Sequence, residues 1–94
     1  MPLSIEQNPS AAEVLMELRS MMEAEFGLSP DEIQPDVHLI DDLDLDSIDL
    51  VDLAVSLEER SSVKLEEEEL KSVRTVADAV RVIHEAFRRR SEAA

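Results

Sequence analysis

From Val14 to Phe26 the apolar residues Val14, Leu18, Met21, Met22 and Phe26 recur three or four positions apart. That spacing gathers them on one face of an α-helix. The helix is expected to begin near Ser10 and to stop at Gly27, the only glycine, where a left-handed backbone can close it. "SPDE" at 29–32 then has the form of a capping box, with Ser29 as cap, Pro30 at the first helical position and Glu32 reaching back. Pro35 ends that turn.

Residues 34–45 read as a long loop anchored by Val37, Leu39 and Leu43, with Ile40 a further candidate. A second helix is expected from about Ser47 to Arg60, with Asp49, Asp52, Ser56 and Glu59 in one polar stripe. Nearly everything else in it is apolar: Ile48, Leu50, Val51, Leu53, Ala54, Val55 and Leu57. So wide an apolar arc predicts a central helix packed on more than one side. Leu65, Leu70 and Val73 anchor a short acidic helical turn. A last helix follows "TVAD", with Val76, Ala79, Val80, Ile83 and Phe87 on its inner face and "RRR" at its end. The methionines at 16, 21 and 22 are expected to fill core or surface.

The predicted fold class is all-α: a small four-helix bundle of three main helices and one short one, with the long loop between the first and second. The aromatic residues are Phe26 and Phe87 alone, which suits packed helices better than a sheet. The expected organisation is a loose arm over 1–9, a helical domain over 10–90 and a tail over 91–94.

Within this plan, "DDLDLDSIDL" at 41–50 admits three readings. A calcium loop aligned on Asp42, Asp44 and Asp46 puts Ser47 where the tight-turn glycine belongs and Leu53 where a bidentate Glu is required, so no metal site is expected. A strand is unsupported, because the alternation stops at Asp46 and aspartate is poor in strands. A helix start has a mechanism: Asp46 caps, Asp49 completes a capping pair, and Ser47 is left at the first helical position with its hydroxyl at the helix mouth.

Charge narrows the partners. The formal net charge is −14, which excludes nucleic acid, whose phosphates demand Lys and Arg. Asp41 to Glu59 holds eight acids and no base, whereas residues 81–90 hold four arginines and one acid. A patch so placed steers basic partners in a salt-dependent way. There is no cysteine, no segment long and apolar enough to span a bilayer, and no secretory signal in "MPLSIEQNPS"; a cytoplasmic monomer that does not engage membranes is expected.

"DSIDLVDLAVSLEE" resembles the Asp-Ser-Leu motif and following helix of the acyl carrier proteins. The resemblance continues through "HLIDDLDLDSI", "KLEEEELKSV" and "TVADAVRVI". It implies that Ser47 carries a phosphopantetheine arm, joined through a phosphodiester by a phosphopantetheinyl transferase that uses coenzyme A. Asp46 would be the motif acid and helix cap. Acyl intermediates would ride on the arm as thioesters, between acyl-transferring or synthase enzymes with basic docking patches, in fatty-acid, polyketide or specialised lipid biosynthesis. A helix N-terminus favours an attached phosphate. The surrounding acids oppose it and are better explained as a docking face, for which Asp49, Asp52, Glu58, Glu59 and Ile48 are the candidates. The helices could part to shelter an acyl chain. Three positions depart from the family pattern: Asp44 where Gly is common, Ser61 where Phe closes the second helix, and Glu66 where Pro precedes the third.

The chain is not expected to be an enzyme. Its histidines, His38 and His84, lie in the loop and the last helix, and no glycine near Ser47 could build an oxyanion site. The competing reading is an unmodified acidic module that binds a basic protein partner.

Overall fold

The computed structural model describes residues 9–93, with side chains for 9–90. It contains α1 (Ala11–Phe26), a single 3-10 turn (Pro30–Glu32), α2 (Ser47–Ser61), α3 (Glu67–Ser72) and α4 (Val76–Ala93). Among the described residues the one β-type pairing is an isolated antiparallel bridge between His38 and Thr75. The fold is thus the expected helical bundle.

Its helix ends follow local chemistry. Ser10 Oγ accepts from the Glu13 N–H at 3.2 Å, and the Ser10 N–H donates to Glu13 Oε1 at 2.8 Å. Gly27 closes α1 at φ 69°, where its N–H donates to the Glu23 carbonyl. Ser62 does the same for α2 at φ 58°, without glycine's freedom there. Ser29, Pro30 and Glu32 form the capping box read from the sequence.

The core joins Val14, Leu18, Met21 and Met22 of α1, Leu50, Leu53 and Leu57 of α2, and six residues of α4 from Val76 to Phe87. The long loop contributes Leu39 and Leu43 as anticipated, but also Leu45, while Ile33 is buried just ahead of it. Ile40 is 46% exposed and is not an anchor. Its neighbour Leu39 takes the inward position instead, and Ile40 lies in the turn that follows, on the solvent side.

The loop is not slack. The Leu39 N–H donates to the Arg74 carbonyl, the Val76 N–H to the Val37 carbonyl and the Ala77 N–H to the Pro35 carbonyl, at 2.9–3.0 Å. The start of α4 therefore holds the segment that leads to α2.

Three expectations need correction. Residues 1–8 of the expected arm lie outside the described residues, but Pro9 is fully buried and belongs to the packed domain. Helical backbone continues through Ala93, so a tail does not begin at 91. Finally, α2 packs through one side only. Leu50, Leu53 and Leu57 are buried, whereas Ile48, Val51 and Val55 are 69%, 47% and 47% exposed. Residues 48, 51 and 55 share a helix face, and that face lies opposite the buried one.

Candidate functional site

Ser47 is the first residue of α2 and is exposed. Its hydroxyl is free of capping duty because Asp46 and Asp49 satisfy each other. Asp46 Oδ1 accepts from the Asp49 N–H at 2.9 Å, and Asp49 Oδ2 accepts from the Asp46 N–H at 3.1 Å. Both pairings follow from the spacing of the two acids, and they leave Ser47 Oγ without a hydrogen-bond partner among the described residues.

The backbone reaches this point through a costly conformation. Asp44 stands at φ 63°, the left-handed region, where a Cβ is unfavourable and aspartate is better tolerated than most residues. The absence of glycine two positions before Asp46 is met by strain, not by another route.

From Ser47 a groove of about 350 Å³ runs between α2 and α3, lined by Ile48, Leu50, Val51, Glu67, Leu70 and Lys71. A second groove of about 320 Å³ continues past Val51, Ala54 and Val55 toward Leu65, Glu58 and Lys64. Beneath both lies a cavity of about 30 Å³ with a wholly hydrophobic lining that includes Leu18, Leu50, Leu57, Leu65, Leu70 and Ile83. Leu50 and Leu70 face both the Ser47 groove and the cavity; they are the wall between them. An exposed hydroxyl at the head of an apolar groove fits a flexible phosphopantetheine arm, which needs one oxygen for attachment and a surface to lie along.

The docking candidates are not equivalent. Asp52, Glu58 and Glu59 are exposed and flank the outward face of Ile48, Val51 and Val55. Asp49 is half-buried and its carboxylate is engaged in the cap. Ser56, placed in the polar stripe, donates its hydroxyl to Glu25 of α1, and Arg60 Nη1 lies 2.6 Å from Glu17 Oε2. That edge of α2 is turned to α1. Val51 and Val55 were missed as surface residues. Their signal was present, since 48, 51 and 55 repeat at helical spacing out of phase with 50, 53 and 57. Neither histidine lines the Ser47 groove: His38 is bridged to Thr75, and His84 lies in a separate groove with Ala11 and Pro35.

The described helices include none long and apolar enough to cross a membrane. Two carboxyls carry lowered pKa values. Glu69 is held below the ordinary range chiefly by its hydrogen bonds from Arg89, and Asp78 by the backbone N–H groups of Thr75 and Arg74.

Residues 14–83 match the family model described as a phosphopantetheine attachment site. The class is therefore a phosphopantetheine-bearing carrier domain. Within that class, acyl carrier protein 2 of Ralstonia nicotianae is 46% identical over 72% of this chain and 84% of its own length. The meromycolate extension acyl carrier protein of Mycolicibacterium aurum is 36% identical over 90% and 88%, and an acyl carrier protein of Myxococcus xanthus is 41% identical over 76% and 90%. A solved acyl carrier protein from Enterococcus faecalis shares the fold at TM-score 0.66 and 24% identity, covering 83% of this chain and 99% of that one.

The chain belongs to the acyl carrier protein family. It bears phosphopantetheine, works with synthase and transferase enzymes, and is a carrier, not a catalyst. Membership sets aside the reading of the chain as an unmodified adaptor.

Proposed function

We propose that Ser47 is the attachment residue and that the outward face of α2 is where partner enzymes bind. The observation that carries the first part is the free, exposed hydroxyl of Ser47 beside a completed Asp46–Asp49 cap. Ser47 Oγ, giving up its proton, displaces adenosine 3′,5′-bisphosphate from the pyrophosphate of coenzyme A and becomes the ester oxygen of the phosphodiester. The arm, when attached, supplies a thiol that holds the acyl group as a thioester. Ile48, Val51 and Val55 offer an apolar contact, ringed by Asp52, Glu58 and Glu59, that suits a partner with a basic rim. The apolar cavity behind Leu50 and Leu70 is the place for an acyl chain to shelter. A phosphopantetheinyl transferase is the first partner; acyl-transferring or synthase enzymes follow, with the chain acting as a cytoplasmic monomer in fatty-acid, polyketide or specialised lipid synthesis.

The test is intact mass after incubation with coenzyme A and a broad-specificity transferase, with Ser47→Ala in parallel. One added phosphopantetheine, absent from the variant, is expected. An unmodified, folded wild-type chain, or addition to the variant, would overturn the assignment. The docking face is tested by transferase rates: Asp52→Asn with Glu59→Gln should slow modification several-fold at low salt, and added salt should slow the wild type. Rates indifferent to both changes would sink that part alone.

A further inference from the structure

The cavity beneath Ser47 is too small for a cargo. About 30 Å³ is little more than a water or two needs, so an acyl chain of several carbons enters only if a wall moves. The wall between cavity and grooves is α3 with its flanks, through Leu65 and Leu70. α3 has six residues, too few to be stable alone, and its principal helix neighbour is α4. Its one apolar residue, Leu70, is only half-buried, as is Leu65 ahead of it; Val73, just past its end, is buried at the foot of α4 and leaves the helix a fixed end to swing from. What ties it down is a fork. Arg89 Nη1 lies 2.7 Å from Glu69 Oε2 and Nη2 lies 3.1 Å from Glu69 Oε1. Among the described residues this is the one polar link from α3 to another helix.

We infer that the Glu69–Arg89 pair is a latch that holds α3 closed over the cavity, and that Arg89 is a positioning residue governing access to it. Glu69 suits the role because it also orders α3 itself, its Oε1 accepting from the Glu66 N–H at 2.8 Å. Breaking the link frees a short helix whose departure removes Leu70 from between the Ser47 groove and the cavity. The inference rests on the sheltering role given to the cavity for its biological meaning, but not on Ser47 being modified.

The experiment therefore uses the unmodified full chain. Opening of α3 is read from amide hydrogen exchange at Leu70, whose N–H bonds the Glu66 carbonyl, and Val73, whose N–H bonds the Leu70 carbonyl. Access to the cavity is read from the affinity for n-octanol, a neutral eight-carbon guest. A guest that needs the open state binds more tightly in proportion to that state's population. Arg89→Gln should speed exchange at Leu70 and Val73 about two- to five-fold, the range of an exposed but bidentate pair, and should raise octanol affinity by the same factor. Glu69→Gln keeps an acceptor for the Glu66 N–H yet removes the charge, and should behave like Arg89→Gln. High salt should move the wild type toward the variants and leave the variants still. Unchanged exchange, or acceleration shared equally with Val14 and Ala79 in α1 and α4, would overturn the latch. Local acceleration without a gain in octanol affinity would overturn its control of the cavity. Failure of Ser47 to take phosphopantetheine would affect neither readout.

Discussion

Asp46 and Asp49 each accept the other's backbone N–H, at 2.9 and 3.1 Å, and so close the mouth of α2 without calling on the hydroxyl of Ser47. Asp46→Ala should cost about 1 kcal/mol in denaturant unfolding, and Asp46→Asn, which still accepts, much less. If alanine and asparagine were equally tolerated, Ser47 would have to be sharing the cap, and its availability would need another explanation.

Asp44 at φ 63° and Ser62 at φ 58° occupy conformations that cost an L-residue free energy. Asp44→Gly should raise stability by about 0.5–1 kcal/mol after glycine's greater unfolded-state entropy is allowed for. Asp44→Val should lower it by about 1–2 kcal/mol. Chemical denaturation of the pair decides the matter; a glycine variant weaker than wild type would mean that the Asp44 side chain compensates its backbone.

The two faces of α2 differ in what they hold. Leu57 is 1% exposed and Leu57→Ala should cost about 2–5 kcal/mol, through lost burial and a residual cavity. Val55, two residues earlier and 47% exposed, should tolerate Val55→Ser within about 0.5 kcal/mol. The same change should slow transfer to a partner enzyme if the outward face is its landing place.

Acid should loosen the α3–α4 end. Glu69 and Asp78 have lowered pKa values in the folded chain, so they bind protons less readily folded than unfolded. Their contribution is full above the unfolded value, near pH 4, and is lost as pH falls through the lowered folded value. Thermal melts across that range should show Glu69→Gln and Asp78→Asn with flatter acid limbs than wild type. Coincident limbs would show that neither group is linked to folding.

Much of this was legible along the chain because it is local. Ser10, Gly27, Ser29 and Asp46 each act on backbone within a few residues, so residue type and spacing suffice. The free serine followed from the same logic. Burial was harder. Ile33 and Leu45 are lone apolar residues among polar ones, and nothing nearby says that the common core will take them in. The wide apolar arc of α2 misled for the opposite reason. Hydrophobic pattern marks what is to be covered, but not whether the cover comes from the same chain. Ile48, Val51 and Val55 are left out of the core because this small bundle already fills the other side of α2. The tie between Glu69 and Arg89 joins residues twenty positions apart, beyond the reach of any periodicity.

The bridge at His38 and the bonds from Leu39, Val37 and Pro35 to residues 74–77 impose an order in time. During synthesis Ser47 and its acidic neighbours emerge well before the strand of backbone that stitches their approach in place. Until residues 74–77 arrive, the Leu39 N–H and the Val37 and Pro35 carbonyls have no protein partners, and the run into α2 stays untethered. A chain cut before Arg74 should therefore be a poor substrate for the transferase although every residue of the serine motif is present.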